Sequence, residues 1–133
     1  MEINKISEII VDCAYRVHKG LGPGLLETVY EVVLADALRK SGLSAERQVP
    51  LPIRFEDKIF EEGFRADIIV ERQIIMEIKS VEQLARVHKK QLLTYLKLSG
   101  LRLGFLVNFG GELLKGNIER LVAGEVPDLK ISP

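Results

Sequence analysis

Phe64-Arg65-Ala66-Asp67-Ile68-Ile69-Val70-Glu71-Arg72-Gln73-Ile74-Ile75-Met76-Glu77-Ile78-Lys79 is the stretch on which the fold turns. Two apolar runs flank a short polar break, the pattern of strands at 64–70 and 74–79 joined by a hairpin at 71–73. Each run carries an acid where an apolar residue would pack better. Asp67 interrupts the first, and Glu77 and Lys79 share one face of the second, because side chains alternate along a strand. A tight hairpin lets Asp67 reach the same neighbourhood. Burying an unpaired carboxylate costs several kcal/mol, so such acids require partners. Two converging carboxylates repel, and a divalent cation is the simplest neutraliser. A structural Glu–Lys or Asp–Arg ion pair at the sheet edge would account for the same residues. The hairpin alone leaves both open.

Towards the N-terminus the period lengthens. Ile3, Ile6, Ile9, Ile10, Cys13, Ala14 and Val17 recur at helical spacing, with Gly20 as the expected residue just past the helix end. Gly20 to Gly24 is too rich in breakers to be helical, and a second helix is expected from about Leu25 to Lys40, closed by Gly42. From Ala45 the period is two. Val49, Leu51, Ile53 and Phe55 alternate with other residues, Pro50 and Pro52 mark an edge strand, and 56–58 is a turn.

Towards the C-terminus, Ser80 and Gln83 have capping-box spacing, predicting a helix from Val81 to about Leu98 with Gly100 beyond it. Leu101 to Asn108 reads as a strand buried on both faces, broken by Gly110-Gly111, and Asn117 to Val122 as a last short strand. The order is α-α-β-β-β-α-β-(β), in which a strand–helix–strand crossover beside a meander implies a mixed sheet flanked by helices. Residues 1–124 are expected to form one domain and 125–133 a tail.

Composition sets the bounds. With 133 residues, 47% hydrophobic and 29% charged, the chain is long enough to bury a core without staples. Lys+Arg and Asp+Glu balance at 19 each, so any phosphate contact must come from a local patch and not from a global field. The single cysteine, Cys13, excludes an internal disulfide and a cysteine zinc cluster and reads as a buried structural thiol. Met1 to Lys5 has neither the basic nor the apolar region of a signal peptide, and no apolar run is long enough to cross a bilayer. The expected location is the cytoplasm.

Asp67 followed by Glu77-Ile78-Lys79, then a helix and an apolar strand, resembles the Asp…Glu-x-Lys pattern of the PD-(D/E)XK nuclease superfamily. Gly24-Leu25-Leu26-Glu27-Thr28-Val29-Tyr30 is similar to the signature of the GxxExxY proteins, a small family within that superfamily, and the likeness runs over nearly the whole chain. It implies a restriction-endonuclease-like core and an Mg²⁺ or Mn²⁺ held by Asp67 and Glu77, with Glu27 adding a third carboxylate and the Ile78 carbonyl joining them. Hard oxygen ligands suit those ions. The physics of Glu27 agrees: it falls in the first turn of a helix, where the dipole favours an anion, although a plain helix-start carboxylate has the same cause.

Gln91 and Tyr95 have the QxxxY spacing of an auxiliary motif in exonuclease-type branches of the superfamily, where it helps shape the site. A satisfied Gln and a packed Tyr are the plainer alternative. His88 reads as solvated. Arg86, His88, Lys89 and Lys90 form one basic cluster and Arg16, His18 and Lys19 another; either has the charge to hold phosphates, and both fit solvated faces. The resemblance implies phosphodiester hydrolysis in nucleic acid, DNA ahead of RNA, with Asp67, Glu77, Lys79, Gln91 and Tyr95 as catalytic residues, no membrane partner, and room for a homodimer. Two other readings stand beside it. One is a non-catalytic nucleic-acid- or protein-binding module retaining the nuclease fold, since fold does not fix function. The other is a structural homo-oligomer with an incidental ion-pair cluster.

Overall fold

The computed structural model describes residues 1–123, and its elements follow the predicted order. The helices are α1 (Ile3–Leu21), α2 (Glu27–Lys40) and α3 (Arg86–Ser99). The strands are β1 (Ala45–Phe55), β2 (Lys58–Val70), β3 (Ile74–Lys79), β4 (Leu103–Asn108) and β5 (Ile118–Val122). The expected tail at 125–133 lies outside the described residues.

All five strands join one sheet in chain order. Neighbours are antiparallel except β3 and β4, which run parallel and are linked through α3. The result is an α/β protein with a mixed sheet covered on both faces. Alternation along the strands splits the core in two. Ile68, Val70, Met76 and Ile78 pack under α1 and α2, against Ile6, Ile10, Tyr30 and Leu34. Ile69, Ile75 and Leu106 pack on the opposite face, under Leu92 and Leu96 of α3. Each fully buried Leu or Ile contributes roughly 1.5–3 kcal/mol, so the two layers hold the fold without staples. Cys13 is buried as expected. No helix among the described residues is long and apolar enough to cross a membrane.

Several boundaries move. Helix α1 continues through Gly20 and ends at Gly22, whose φ of 69° lets its N–H reach the His18 carbonyl. Helix α2 begins at Glu27, not Leu25. Strand β2 begins at Lys58, well before Phe64, so the β1–β2 hairpin extends past β3, which pairs with β2 only over Ile68–Val70. The hairpin tip, turning at Glu56-Asp57 with φ 48° and 62°, exposes Phe55, Ile59 and Phe60.

The largest shift is at α3, which starts at Arg86, not Val81. Ser80 is not a cap, because its Oγ donates to the Leu25 carbonyl at 2.6 Å. Both main-chain groups of Val81 are held by the Asn108 side chain, at 2.9 Å each. The helix opens at Ala85 instead, whose N–H donates to His88 Nδ1 at 3.1 Å.

Candidate metal centre

The pairing of β2 with β3 stops at Ile68↔Met76. One step further Asp67 would face Glu77, and a step beyond that the Ile78 N–H would meet the β2 main chain. The strands separate there instead, and Asp67 Oδ2 accepts the Ile78 N–H at 2.8 Å. A side chain has replaced a ladder acceptor, which fixes the carboxylate beside β3. Glu77 alternates with Ile75 and so lies on the α3 face, in the middle strand of the sheet and not at its edge.

Glu77 is only 6% exposed and its Oε1 has no hydrogen-bond partner. Burial, followed by the charge of Asp67, pushes its carboxyl up to about 8, while Lys79 pulls weakly the other way. Among the described residues no ion pair includes Asp67, Glu77 or Lys79. The structural ion pair that would have explained the motif is not formed.

Helix α3 closes this face. The Tyr95 ring stacks on Phe64 of β2 with centroids 3.9 Å apart. Its hydroxyl pKa is raised by burial, then by the charge of Glu77, against a hydrogen bond from Gln91 and with a smaller push from Asp67. Tyr95 and Gln91 therefore adjoin the carboxylate pair. Lys79 is half-buried two residues from Glu77 on the same face.

Glu27 is placed differently. Helix α2 packs on the opposite face of the sheet, and Glu27 is its exposed first residue. The preceding turn is fastened to the end of β3 by the Ser80–Leu25 bond, so Glu27 stands at the sheet end where β3 finishes. Tyr30, the last residue of the GxxExxY stretch, is fully buried and stacks on Phe109 at 4.6 Å. Its hydroxyl donates to the Gly22 carbonyl and accepts the Leu25 N–H, bracing that turn. Among the described residues no three His, Cys, Asp or Glu side chains gather closely enough to enclose an ion.

The two basic clusters differ in their surroundings. His18 is buried, with Nε2 2.8 Å from the Gly111 carbonyl, and Arg16 is paired with Asp12. In the other cluster Lys89 is paired with Glu119 and His88 caps α3, while Arg86 and Lys90 remain exposed.

A family model described as the PD-(D/E)XK nuclease superfamily matches residues 4–121. The chain belongs to that superfamily, and its sheet and flanking helices have the restriction-endonuclease-like architecture. Comparison with curated proteins and with solved structures returns no match. The observed residues fit a divalent cation: two adjoining carboxylates without cationic partners, one holding an orphaned buried oxygen.

Sequence reasoning missed two polar clusters. Glu31, 5% exposed, accepts from Arg47 at 2.8 and 2.9 Å and from Gln48 at 2.9 and 3.2 Å. Its i+4 spacing from Glu27 is the signal that could have found it. Asn108, fully buried at the end of β4, bonds Val81, Gly110 and Asn117. An amide closing an all-apolar strand was the cue there.

Proposed function

We propose that the chain is a cytoplasmic, Mg²⁺- or Mn²⁺-dependent nuclease of the GxxExxY type, cleaving phosphodiester bonds in nucleic acid, DNA ahead of RNA. The observation that carries this is Glu77: a buried carboxyl with an orphaned oxygen, beside Asp67, in a chain of the PD-(D/E)XK superfamily. Asp67 and Glu77 would hold the cation with the Ile78 carbonyl beside them, and Glu27, at the start of α2 and outside their immediate grouping, would contribute through a water. When bound, a divalent ion polarises the scissile phosphate and lowers the pKa of a water.

The other residues follow from their positions. Lys79, on the Glu77 face, supplies positive charge where the phosphate gains negative charge, and orients the attacking water. Its place beside the two carboxylates suits an electrostatic role, steadying the charge that builds on the phosphate, and not that of a base. Gln91 holds the Tyr95 hydroxyl, and Tyr95, stacked on Phe64 beside the carboxylates, would limit the approach of bulk water from that side. Arg86 and Lys90 offer nearby charge for the nucleic-acid backbone.

The test is a cleavage assay on single-stranded DNA, duplex DNA and RNA with Mg²⁺ or Mn²⁺. Wild type should cut at least one substrate and stop in excess chelator. Glu77→Ala should be inactive but folded, and Lys79→Ala inactive yet still metal-binding. Cleavage undiminished by chelator would rule the mechanism out, and no cleavage of any substrate would favour a non-catalytic binding module.

A further inference from the structure

Asp67 does not reach β3 through its own strand alone. Strand β1 pairs with β2 at Arg47↔Ile68 and Val49↔Ala66, but the intervening Gln48 and Asp67 form no pair. Gln48 has φ 53°, a left-handed conformation uncommon for a residue with a side chain. At this point both strands change faces. Ala45 packs with the α1–α2 core, whereas Val49 and Leu51, at the same parity, pack with the α3 core. On β2, Ile68 and Val70 lie in the first core and Ala66 and Phe64 in the second. A regular strand cannot do this; a left-handed residue can.

Buried Glu31 of α2 holds the irregularity. It takes Arg47 and Gln48 together, two consecutive residues that a flat strand would send to opposite faces. We infer that Glu31, Arg47 and Gln48 are positioning residues, forming a clamp that turns the β1–β2 hairpin away from β3 and thereby frees the Asp67 carboxylate to take the Ile78 N–H beside Glu77. Helix α2 then does two things from one face: one turn before Glu31 it presents Glu27 at the end of the sheet. The metal role of Asp67 rests on the proposed function; the clamp itself does not.

The test is amide hydrogen exchange at Ile78 in the metal-free protein, with Asp67→Ala as the reference for a lost acceptor. Gln48→Val, whose branched side chain opposes the left-handed conformation, should expose the Ile78 amide towards that reference. Gln48→Gly should keep it more protected than Gln48→Val. Glu31→Ala should also expose it, and Arg47, whose side chain is 31% exposed, can turn to solvent, so this variant keeps its fold if Gln48→Val does not. Ile75, deep in the ladder, should be unchanged. Protection at Ile78 equal to wild type in both Gln48→Val and Glu31→Ala would overturn the clamp. Mn²⁺ affinity in the same variants should fall about 10- to 100-fold, as for other supporting residues around metal ligands. A wild type that binds no Mn²⁺ would refute the metal site while leaving the exchange result to decide the clamp.

Discussion

Burial holds a proton on Glu77 below about pH 8 in the metal-free fold, and holding a cation would require that proton to leave. Its carboxyl sits at about 8 in the folded chain against an ordinary 4.5, so between those values the folded state keeps a proton that the unfolded chain has lost. The folded pKa is raised; the contribution to stability is therefore fully present below about 4.5 and lost as pH rises through about 8. The slope reaches at most about 1.4 kcal/mol per pH unit. Removing the charge should remove that loss. Glu77→Gln is expected to melt higher than wild type near pH 8 without metal, with the gap closing towards about pH 5. A variant that melts lower than wild type across the whole range would mean that the Glu77 carboxyl stabilises the metal-free fold and is not under repulsion from Asp67. Why the pair could be read from sequence is clear at this scale: an acid in an apolar strand is conspicuous. Glu31 was not, because a lone glutamate on a helix usually faces water, and its partners lie in another element.

The elements around the pair are fastened by polar groups, not by packing alone. Asn108 ties β4 to the start of the loop before α3 and accepts the Gly110 N–H, and a Cβ on Gly110 would overlap the Val81 main chain. Backbone cannot yield as a flexible side chain does. Gly110→Ala should lose roughly 1–3 kcal/mol in denaturant titration, and stability equal to wild type would mean the loop is free to shift. Tyr30 does the same for the turn before α2. Tyr30→Phe keeps the Phe109 stack but loses bonds to Gly22 and Leu25, costing about 1 kcal/mol. If Glu27 contributes to a bound cation as proposed, the variant should also weaken metal binding, since that turn sets where Glu27 stands; unchanged affinity would remove Glu27 from the proposed ligands. Strands and helices were legible because periodicities of two and 3.6 are local. The start of α3 was not, because Ser80 and Val81 spend their capping groups on Leu25 and Asn108, contacts that only the fold brings together. The length of the β1–β2 hairpin was missed for a related reason: Lys58 to Glu61 carries no clean alternation.

Across the whole molecule, a net charge of zero gives no field to draw in nucleic acid, so the recognition proposed above would have to be local to the site. In the proposed function that burden falls on the carboxylate pair and the cation it would hold. If Asp67 and Glu77 hold a divalent ion, binding near neutral pH must expel the proton that burial keeps on Glu77. Calorimetric titration with Mn²⁺, repeated in buffers of different ionisation enthalpy, reads that proton directly. Wild type at about pH 7 should bind Mn²⁺ and release close to one proton, and Glu77→Gln should bind far more weakly and release almost none. Absence of binding, or binding with the same proton release in both proteins, would contradict a metal site built on Glu77.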